Sequence, residues 1–236
     1  FIGEPIQGAG GVIIPPATYW PEIQKICKKY DLLLIADEVI NGFGRTGKMF
    51  AIEHYDVVPD IMTIAKGLTS GYAPMGAAIV RDSVFDIFKQ QEATALGHLL
   101  TFGGHPIAAA AAIRNLQVFA DEDLVGKSAS QGEYLLARLE ELRAHPTVGD
   151  VRGVGLFAGV ELVADRKTKK KFAKDSGFIK RVNKELLERG LITRLWDVIH
   201  VAPPLVVSKE EIDQIVAGID ESLTIGETEF ASEISG

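Results

Sequence analysis

The sequence predicts an α/β protein with a large, mainly parallel-sheet domain followed by a smaller α+β domain. Residues 1–120 alternate short apolar segments with helical ones, the pattern of a parallel sheet covered by helices. After His145-Pro146 the pattern changes to extended segments that alternate with two helices. The length of 236 residues fits one large domain or two modest ones. We therefore divide the chain into residues 1–125 and residues 126–236, the second including its linking helix.

The first domain begins with a strand, a helix and a second strand. Phe1-Ile2-Gly3 has the pattern of a strand entered without Met, turn or cap, so we expect further residues upstream. Thr18 is a candidate N-cap for a helix over residues 19–29. Leu32 to Ala36 is apolar at every position, which predicts a strand buried on both faces.

Two more strands and two helices complete the first domain and its link to the second. The apolar segments 61–65 and 76–80 are only about ten residues apart, too few for a helical crossover, so antiparallel pairing is predicted. Pro106 at a first helical turn, followed by an alanine-rich run, predicts a helix that continues towards Phe119. A further helix is predicted over residues 130–143.

The second domain has the pattern of a small α+β unit. Ser208 and Glu211 form the capping box of a last helix, which is predicted to end near Leu223. The elements before it are, in order, a strand over residues 154–163, a helix over residues 177–189 that stops at Gly190, and an extended segment over residues 191–201.

Composition argues against several classes of function. The chain has 25 Lys and Arg against 32 Asp and Glu, and a net charge of -7 disfavours nucleic acid as a partner. The basic run over residues 166–174 is interpreted as a solvated face. The apolar run Ile107–Ile113 is too short to span a bilayer, so no membrane role is expected. Cys27 is the single cysteine, and no secretory signal is visible, which favours a cytoplasmic setting. The five histidines lack metal-ligand spacing, so no metal site is expected.

One stretch, LLLIADEVINGFGRTGK over residues 32–48, resembles two parts of an ATPase site. Its acidic residues end an apolar run, and Gly42 to Lys48 spells G-x-x-x-x-G-K. A phosphate loop needs Ser or Thr after the lysine to hold magnesium, whereas Met49 follows Lys48 here. In ATPases of this kind the acidic strand is separate from the phosphate loop, whereas here both would belong to one strand. Asp37 is therefore predicted to serve another chemistry.

Asp37 and Lys66 each end a predicted strand, where parallel sheets bind their ligands. Taken alone, Asp37 could cap a turn and Lys66 could be a solvated lysine. Together they suggest a site for pyridoxal phosphate. A lysine can form a Schiff base with this carbonyl cofactor, and a fixed aspartate supplies the counter-charge that keeps the ring nitrogen protonated.

Five linked motifs carry a resemblance to a known family. They are, in order, EPIQGAGGVIIPP, LLIADEVINGFGRTG, DIMTIAKGLTSGYAPMGA, LTFGGHPIAAAAA and VAPPLVVSKEEID. In this order and at these spacings they resemble the class III aminotransferases, the pyridoxal-phosphate family of ω-aminotransferases. The resemblance covers nearly all of residues 1–223. It implies the fold-type I architecture, with the latter half of the large cofactor domain followed by the small domain.

The resemblance also assigns residues to roles. It implies that Lys66 is the Schiff-base lysine, that Asp37 is the partner of the pyridine nitrogen and that Val39 packs on the ring face. Plain core packing is the alternative for Val39. Thr101 matches the threonine that reaches the cofactor phosphate of the neighbouring subunit. A homodimer with shared active sites is therefore implied, alone or paired into a tetramer.

The motifs depart from the ornithine and 4-aminobutyrate branch of the family. That branch carries an acid two residues after the glutamine of the first motif, where Gln7 is followed here by Gly8 and Ala9. It places an arginine where this sequence has His200, and a glutamine where it has Ile40. The three differences favour another branch.

Arg194 fits the arginine of the ω-amine:pyruvate branch, a mobile side chain that binds a substrate carboxylate. Its planar guanidinium suits bidentate carboxylate binding, and an exposed structural arginine is the alternative. Trp196 nearby could shape the pocket or cover the small domain.

The expected reaction is transfer of an amino group from an ω-amine or ω-amino acid to an oxo acid, pyruvate above all, with ping-pong kinetics. Two alternatives stay open. One is another pyridoxal-phosphate reaction, such as that of an aminomutase, racemase or decarboxylase. The other is a non-catalytic fragment that cannot hold the cofactor alone.

Overall fold

The computed structural model describes residues 1–89, 97–98, 100–173 and 175–234. The chain divides into two compact units. The first unit contains residues 1–8 and 15–126, and the second contains residues 9–14 and 127–236. Among the described residues, no helix is long and apolar enough to cross a membrane.

A four-stranded sheet organises the first unit. Its strands are β1 (Ile2–Gly3), β2 (Ile35–Asp37), β3 (Ile61–Ile64) and β4 (Ala77–Val80), in the order β1-β2-β3-β4. The first three strands are parallel, and β4 pairs antiparallel with β3, as predicted from the short connection between them. In the parallel register, Asp37 lies opposite Thr63.

Within the described part of this unit, three α-helices accompany the sheet, namely α1 (Tyr19–Lys29), α2 (Asp82–Phe85) and α3 (Pro106–Asp121). The predictions of α1 and α3 are confirmed, but the N-cap role predicted for Thr18 is wrong. Thr18 has a helical backbone conformation, φ −81° and ψ −16°, and its side chain makes no capping hydrogen bond. The chain already turns before this residue, because the Tyr19 N–H donates to the Pro16 carbonyl over 2.9 Å.

Strand β2 is shorter than the apolar run that predicts it. Leu32 and Leu33 are 50% and 41% exposed and lie outside the sheet, so they are not buried on both faces. Their neighbourhood explains the difference, because the Leu32 N–H donates to Cys27 at the end of α1. The Leu34 N–H donates to the carboxylate of Asp60 over 2.7 Å. These backbone groups are therefore satisfied outside the sheet.

Helix α1 packs on the sheet through a small apolar cluster. Trp20, Cys27, Leu34, Ala36, Ile52 and Val57 form its buried part. The indole N–H of Trp20 donates to the Pro5 carbonyl over 3.1 Å, so this buried polar group is satisfied. Cys27 is a free, buried thiol.

The second unit is built on an antiparallel three-stranded sheet. Its elements are α4 (Leu124–Glu140), which belongs to this unit from residue 127 on, β5 (Val148–Val154), β6 (Phe157–Leu162), α5 (Gly177–Glu188), β7 (Val198–Val201) and α6 (Lys209–Glu229), with strand order β5-β6-β7. The prediction of α5 is confirmed, and Gly190 beyond it adopts φ +77°. The helix predicted over residues 130–143 begins earlier and ends earlier, and a 3-10 helix, Glu141–Ala144, follows it.

The strand predicted over residues 154–163 is only partly correct, because the segment contains the turn and the second arm, β6, of a β-hairpin, whereas the first arm, β5, ends at Val154 and was not predicted. The charged residues Asp150 and Arg152 interrupt the apolar pattern of β5. They pair with each other, and Arg152 also pairs across the hairpin and donates to the Gly11 carbonyl over 2.7 Å. Arg152 Nη1 lies 2.9 Å from a carboxylate oxygen of Asp150 and 2.6 Å from one of Glu161. Gly155 makes the turn with φ +58°.

The last two predicted elements are partly confirmed. The capping box is present, since the Glu211 N–H donates to Ser208 Oγ and the Ser208 N–H donates to the Glu211 carboxylate. Helix α6 runs past the predicted end near Leu223, because Gly226 lets α5 approach closely: a Cβ there would lie 2.9 Å from Val182. The extended segment over residues 191–201 contains a true strand only at β7.

Candidate active site

Two chemically useful side chains stand at one edge of the first unit's sheet. Asp37 is the last residue of β2 and is half-buried, while Lys66 follows β3 after one residue and is exposed. Pairing of the two strands continues past Asp37, because the Glu38 N–H donates to the Thr63 carbonyl over 2.9 Å. Neighbouring strands run about 4.8 Å apart. The fold therefore places the carboxylate and the amine at the carboxyl ends of adjacent parallel strands.

A short turn fixes the positions of Asp37 and Val39. Oδ1 of Asp37 accepts a hydrogen bond from the Val39 N–H over 3.1 Å, so the carboxylate holds its own backbone in a tight turn. Val39 is half-buried. The structure thus brings Asp37, Val39 and Lys66, three of the residues predicted for the site, to the same sheet edge.

Lys66 has an unusual backbone conformation. Its φ is +40°, in the left-handed region that non-glycine residues seldom adopt, and such a conformation costs about 1–3 kcal/mol. A 3-10 helix, Lys66–Leu68, begins there, with the Leu68 N–H donating to Ala65 over 2.9 Å and the Thr69 N–H donating to Lys66 over 3.2 Å. Strained residues of this kind concentrate at functional sites.

The loop after Asp37 packs directly on the turn after Lys66. Phe43 is buried, and a Cβ added to Gly67 would lie only 2.9 Å from the Phe43 Cβ. The Phe43 ring makes edge contacts with Phe50 and Phe119, at centroid distances of 5.6 and 6.4 Å. Only glycine fits beside Lys66, so the positions of the two strand ends depend on each other.

Glu38 is a buried acid whose role the sequence analysis missed. Its side chain is fully buried, and its two carboxylate oxygens accept hydrogen bonds from the N–H groups of Ala51 (3.0 Å) and Ile52 (2.8 Å). These residues begin a 3-10 helix, Ala51–Tyr55. Glu38 therefore joins the end of β2 to the start of this helix and closes the loop between them. Burial raises the pKa of Glu38 to about 7, although the two backbone hydrogen bonds oppose this. The sequence signal that could have indicated this role is the position of Glu38 directly after the predicted strand.

The glycine-rich loop over residues 42–48 is not the strand-loop-helix arrangement of a phosphate loop. The Gly42 N–H donates to Glu38, and the Gly47 N–H donates to Gly44, so the loop folds back on itself. His54 Nε2 lies 3.0 Å from the Thr46 carbonyl and closes the loop from the following 3-10 helix. Lys48 is exposed at its end.

Thr101 lies elsewhere in the first unit. It is exposed, in a turn that ends where α3 begins, and hydrogen bonds from Gly103 to Leu100 (3.0 Å) and from His105 to Phe102 (3.3 Å) shape that turn. Leu99, two residues before Thr101, lies outside the described residues.

Arg194 belongs to the second unit, where it is an exposed residue in the segment before β7. Its guanidinium carbon lies 3.7 Å from the centroid of the Trp196 ring, a cation–π contact that keeps the charge at the surface. The Arg194 carbonyl accepts a hydrogen bond from the His200 N–H over 3.2 Å. The backbone at Arg194 is thereby tied to β7 while its side chain stays exposed.

The donor set at the sheet edge fits pyridoxal phosphate. An amine can bond to its carbonyl carbon, and a carboxylate can hold the proton of its ring nitrogen. Thr63, the partner of Asp37 in the sheet, has a buried hydroxyl with no hydrogen-bond partner among the described residues. Within the same ranges, no group of three or more His, Cys, Asp and Glu side chains could hold a metal ion. The residues present therefore fit an organic carbonyl cofactor.

Comparisons with known proteins agree with this chemistry. A family model described as aminotransferase class-III matches residues 1–223. A putrescine–pyruvate aminotransferase of Pseudomonas aeruginosa is 47% identical over 218 residues, which cover 92% of this chain and 47% of that protein. A diaminobutyrate–2-oxoglutarate transaminase of Halomonas elongata is 43% identical, covering 94% of this chain and 49% of that protein.

A taurine–pyruvate aminotransferase of Rhodobacter capsulatus is 41% identical, with coverage of 93% and 50%. Among solved structures, an (S)-enantioselective ω-transaminase from Thermomicrobium roseum matches with a TM-score of 0.92 and 44% identity, over 96% of this chain and 50% of that one. The chain spans about half the length of the curated relatives it matches.

Proposed function

This chain belongs to the class III aminotransferases, and from that premise we propose that its protein moves an amino group from an ω-amine or ω-amino acid to pyruvate. The observation that carries the proposal is the placement of Asp37 and Lys66 at adjacent parallel strand ends. Enzymes of this class depend on pyridoxal phosphate. When bound, that cofactor supplies an electron sink for the charge left behind when a proton leaves the substrate carbon.

Two side chains carry the proton chemistry in this proposal. Lys66 Nζ, as a neutral amine, removes the proton from the substrate carbon that bears the amino group and holds it for return. The Asp37 carboxylate keeps a proton on the ring nitrogen, and its bond to the Val39 N–H orients it for that task. The amine donor and the oxo acid would use this lysine in turn, and the first product would leave before the oxo acid enters, so ping-pong kinetics are expected.

Other residues are proposed to position the cofactor. Val39, half-buried beside Asp37, packs against the ring face. Thr101 gives its hydroxyl to the cofactor phosphate of a neighbouring subunit, and its exposure in the turn before α3 supports this. The protein is then a homodimer with shared active sites, and the two units of the chain correspond to a cofactor domain and a small domain.

Arg194 is proposed to bind the carboxylate of the oxo acid. Its exposed, planar guanidinium can form a bidentate pair with a carboxylate. When the substrate has no carboxylate, the guanidinium can stay in its cation–π contact with the Trp196 ring. A cytoplasmic location is part of the proposal, supported by the free, buried Cys27 as the chain's one thiol.

The test is an assay of the intact protein with pyridoxal phosphate, pyruvate and a panel of amine donors. Putrescine, taurine and a short ω-amino acid differ in the group opposite the reacting amine, which is an ammonium, a sulfonate and a carboxylate respectively. We expect alanine to form from at least one donor, and none to form with the Lys66→Ala variant. Absence of alanine with every donor would refute the transamination to pyruvate. Glutamate formation from 2-oxoglutarate alone would show that the proposed acceptor is wrong.

A further inference from the structure

The turn that follows Lys66 is under backbone strain at two non-glycine residues. Lys66 and Ser70 both adopt positive φ, +40° and +49°, and Gly71 follows with φ +79°. Such conformations persist only where the surrounding structure holds them, because an ordinary residue lowers its energy by leaving the left-handed region. The turn therefore needs partners outside itself.

Asn115, on α3, supplies those partners with one side chain. Its Nδ2 donates to the carbonyl of Gly67 over 2.8 Å and to the carbonyl of Leu68 over 3.0 Å. Its Oδ1 accepts a hydrogen bond from the hydroxyl of Ser70 over 2.8 Å. Asn115 is half-buried and lies more than forty residues along the chain from the turn, so helix and turn are held together by this carboxamide.

The orientation of the carboxamide is determined by its partners. Carbonyl oxygens can only accept hydrogen bonds, so the NH2 group must face Gly67 and Leu68. The oxygen is then left to face the Ser70 hydroxyl, which can donate. Every polar atom of the Asn115 side chain thus bonds to the residues directly after Lys66.

We propose that Asn115 is a positioning residue, which holds the Lys66 amine at the sheet edge by clamping residues 67–70 in their strained conformation. The inference rests on the role proposed for Lys66. Its physical basis is that proton transfer depends steeply on where the base stands, and a displacement of about 1 Å can reduce a rate by up to about a hundredfold. Asn115 acts through the backbone of the turn and touches no reacting atom.

The first experiment measures the clamp in the cofactor-free protein. Asn115→Asp preserves the size of the side chain and an acceptor for Ser70, but turns a second carboxylate oxygen towards two carbonyl oxygens. Gln117→Asp is the matched control, because it places a carboxylate on the same helix, and Gln117 is exposed and accepts only from Arg114 in the described contacts. Hydrogen exchange followed by mass spectrometry should show residues 66–72 exchanging about tenfold faster in Asn115→Asp and unchanged in the control.

The second experiment measures steady-state kinetics of the same variants with cofactor bound. Asn115→Asp should lower kcat at least about tenfold and leave KM for the amine within about twofold, since substrate binding does not use this residue. Gln117→Asp should match the wild-type protein. Unchanged exchange, or faster exchange with unchanged kcat, would overturn the inference, as would equal losses in both variants.

Two safeguards keep the outcome clear. If Asn115→Asp does not fold, Asn115→Ala decides the question, because it removes all three hydrogen bonds to the turn without adding a charge. Faster exchange of residues 66–72 in Asn115→Ala supports the clamp, and unchanged exchange overturns it. The exchange experiment needs no turnover, so failure of the clamp is distinguishable from failure of the proposed transamination.

Discussion

The buried carboxyl of Glu38 should make the stability of this protein fall with rising pH. Burial raises its pKa from 4.5 to about 7 in the folded chain, and the nearby carboxylates of Glu53 and Asp37 act in the same direction. At a pH between 4.5 and about 7, the folded state binds more protons at Glu38 than the unfolded state does. The free energy of unfolding therefore decreases as pH rises through that window.

The size of the effect follows from the pKa difference. One pKa unit corresponds to about 1.36 kcal/mol, so a shift from 4.5 to about 7 amounts to roughly 3 kcal/mol. The Glu38→Gln variant cannot titrate but keeps one oxygen for the N–H of Ile52 or Ala51. The difference in unfolding free energy, wild type minus variant, should therefore fall by about 3 kcal/mol across the window.

Denaturant unfolding of the two proteins at a series of pH values measures that difference. Glu22→Gln, which removes an exposed acid from α1, is the control and should give a difference that hardly changes with pH. A constant difference for Glu38→Gln would contradict the reasoning. A difference that grows with pH would show that the two backbone hydrogen bonds keep Glu38 ionised.

Three further predictions concern other parts of the chain. His145, held between two carboxylates of α6 at 2.9 and 3.0 Å, has a raised pKa, so its stabilisation is present below pH 6.5 and is lost as pH rises through the folded pKa. His145→Gln should thus lower the melting temperature more at pH 6 than at pH 9, and equal losses would oppose this. Gly132→Ala should destabilise by about 1–3 kcal/mol in denaturant unfolding, because its Cβ would lie 2.3 Å from Gly155, whereas Gly97→Ala, with open space around it, should be neutral. Asp37→Asn should retain cofactor absorbance but form alanine about a hundredfold more slowly, and an undiminished rate would exclude Asp37 from the proposed chemistry.

The sequence predicts the helices of this chain better than its short strands. Helices α1 and α3 have long periodic or alanine-rich patterns, which local interactions alone can specify. Strand β5 carries Asp150 and Arg152, and their partners lie on the strand, across the hairpin and as far away in the sequence as Gly11, so no local pattern distinguishes it from a loop. Thr18 was misjudged because a capping residue type does not determine the backbone conformation that capping requires.

The candidate site shows the same limit. Asp37 and Lys66 stand out because each directly follows an apolar strand and because the motifs around them resemble a family. The roles of Glu38 and Asn115 depend on backbone groups 13 and 48 residues away. Such partners become neighbours only in the folded chain, and neither periodicity nor spacing reveals them.

Borohydride reduction of the protein loaded with pyridoxal phosphate tests the central claim most directly. Reduction makes the bond between the cofactor carbonyl and a lysine permanent, and mass spectrometry of a proteolytic digest then identifies the lysine. We expect the label on the peptide that contains Lys66, and no label on the Lys66→Ala variant. A label on Lys48 of the glycine-rich loop, or no label on the wild-type protein, would contradict the assignment.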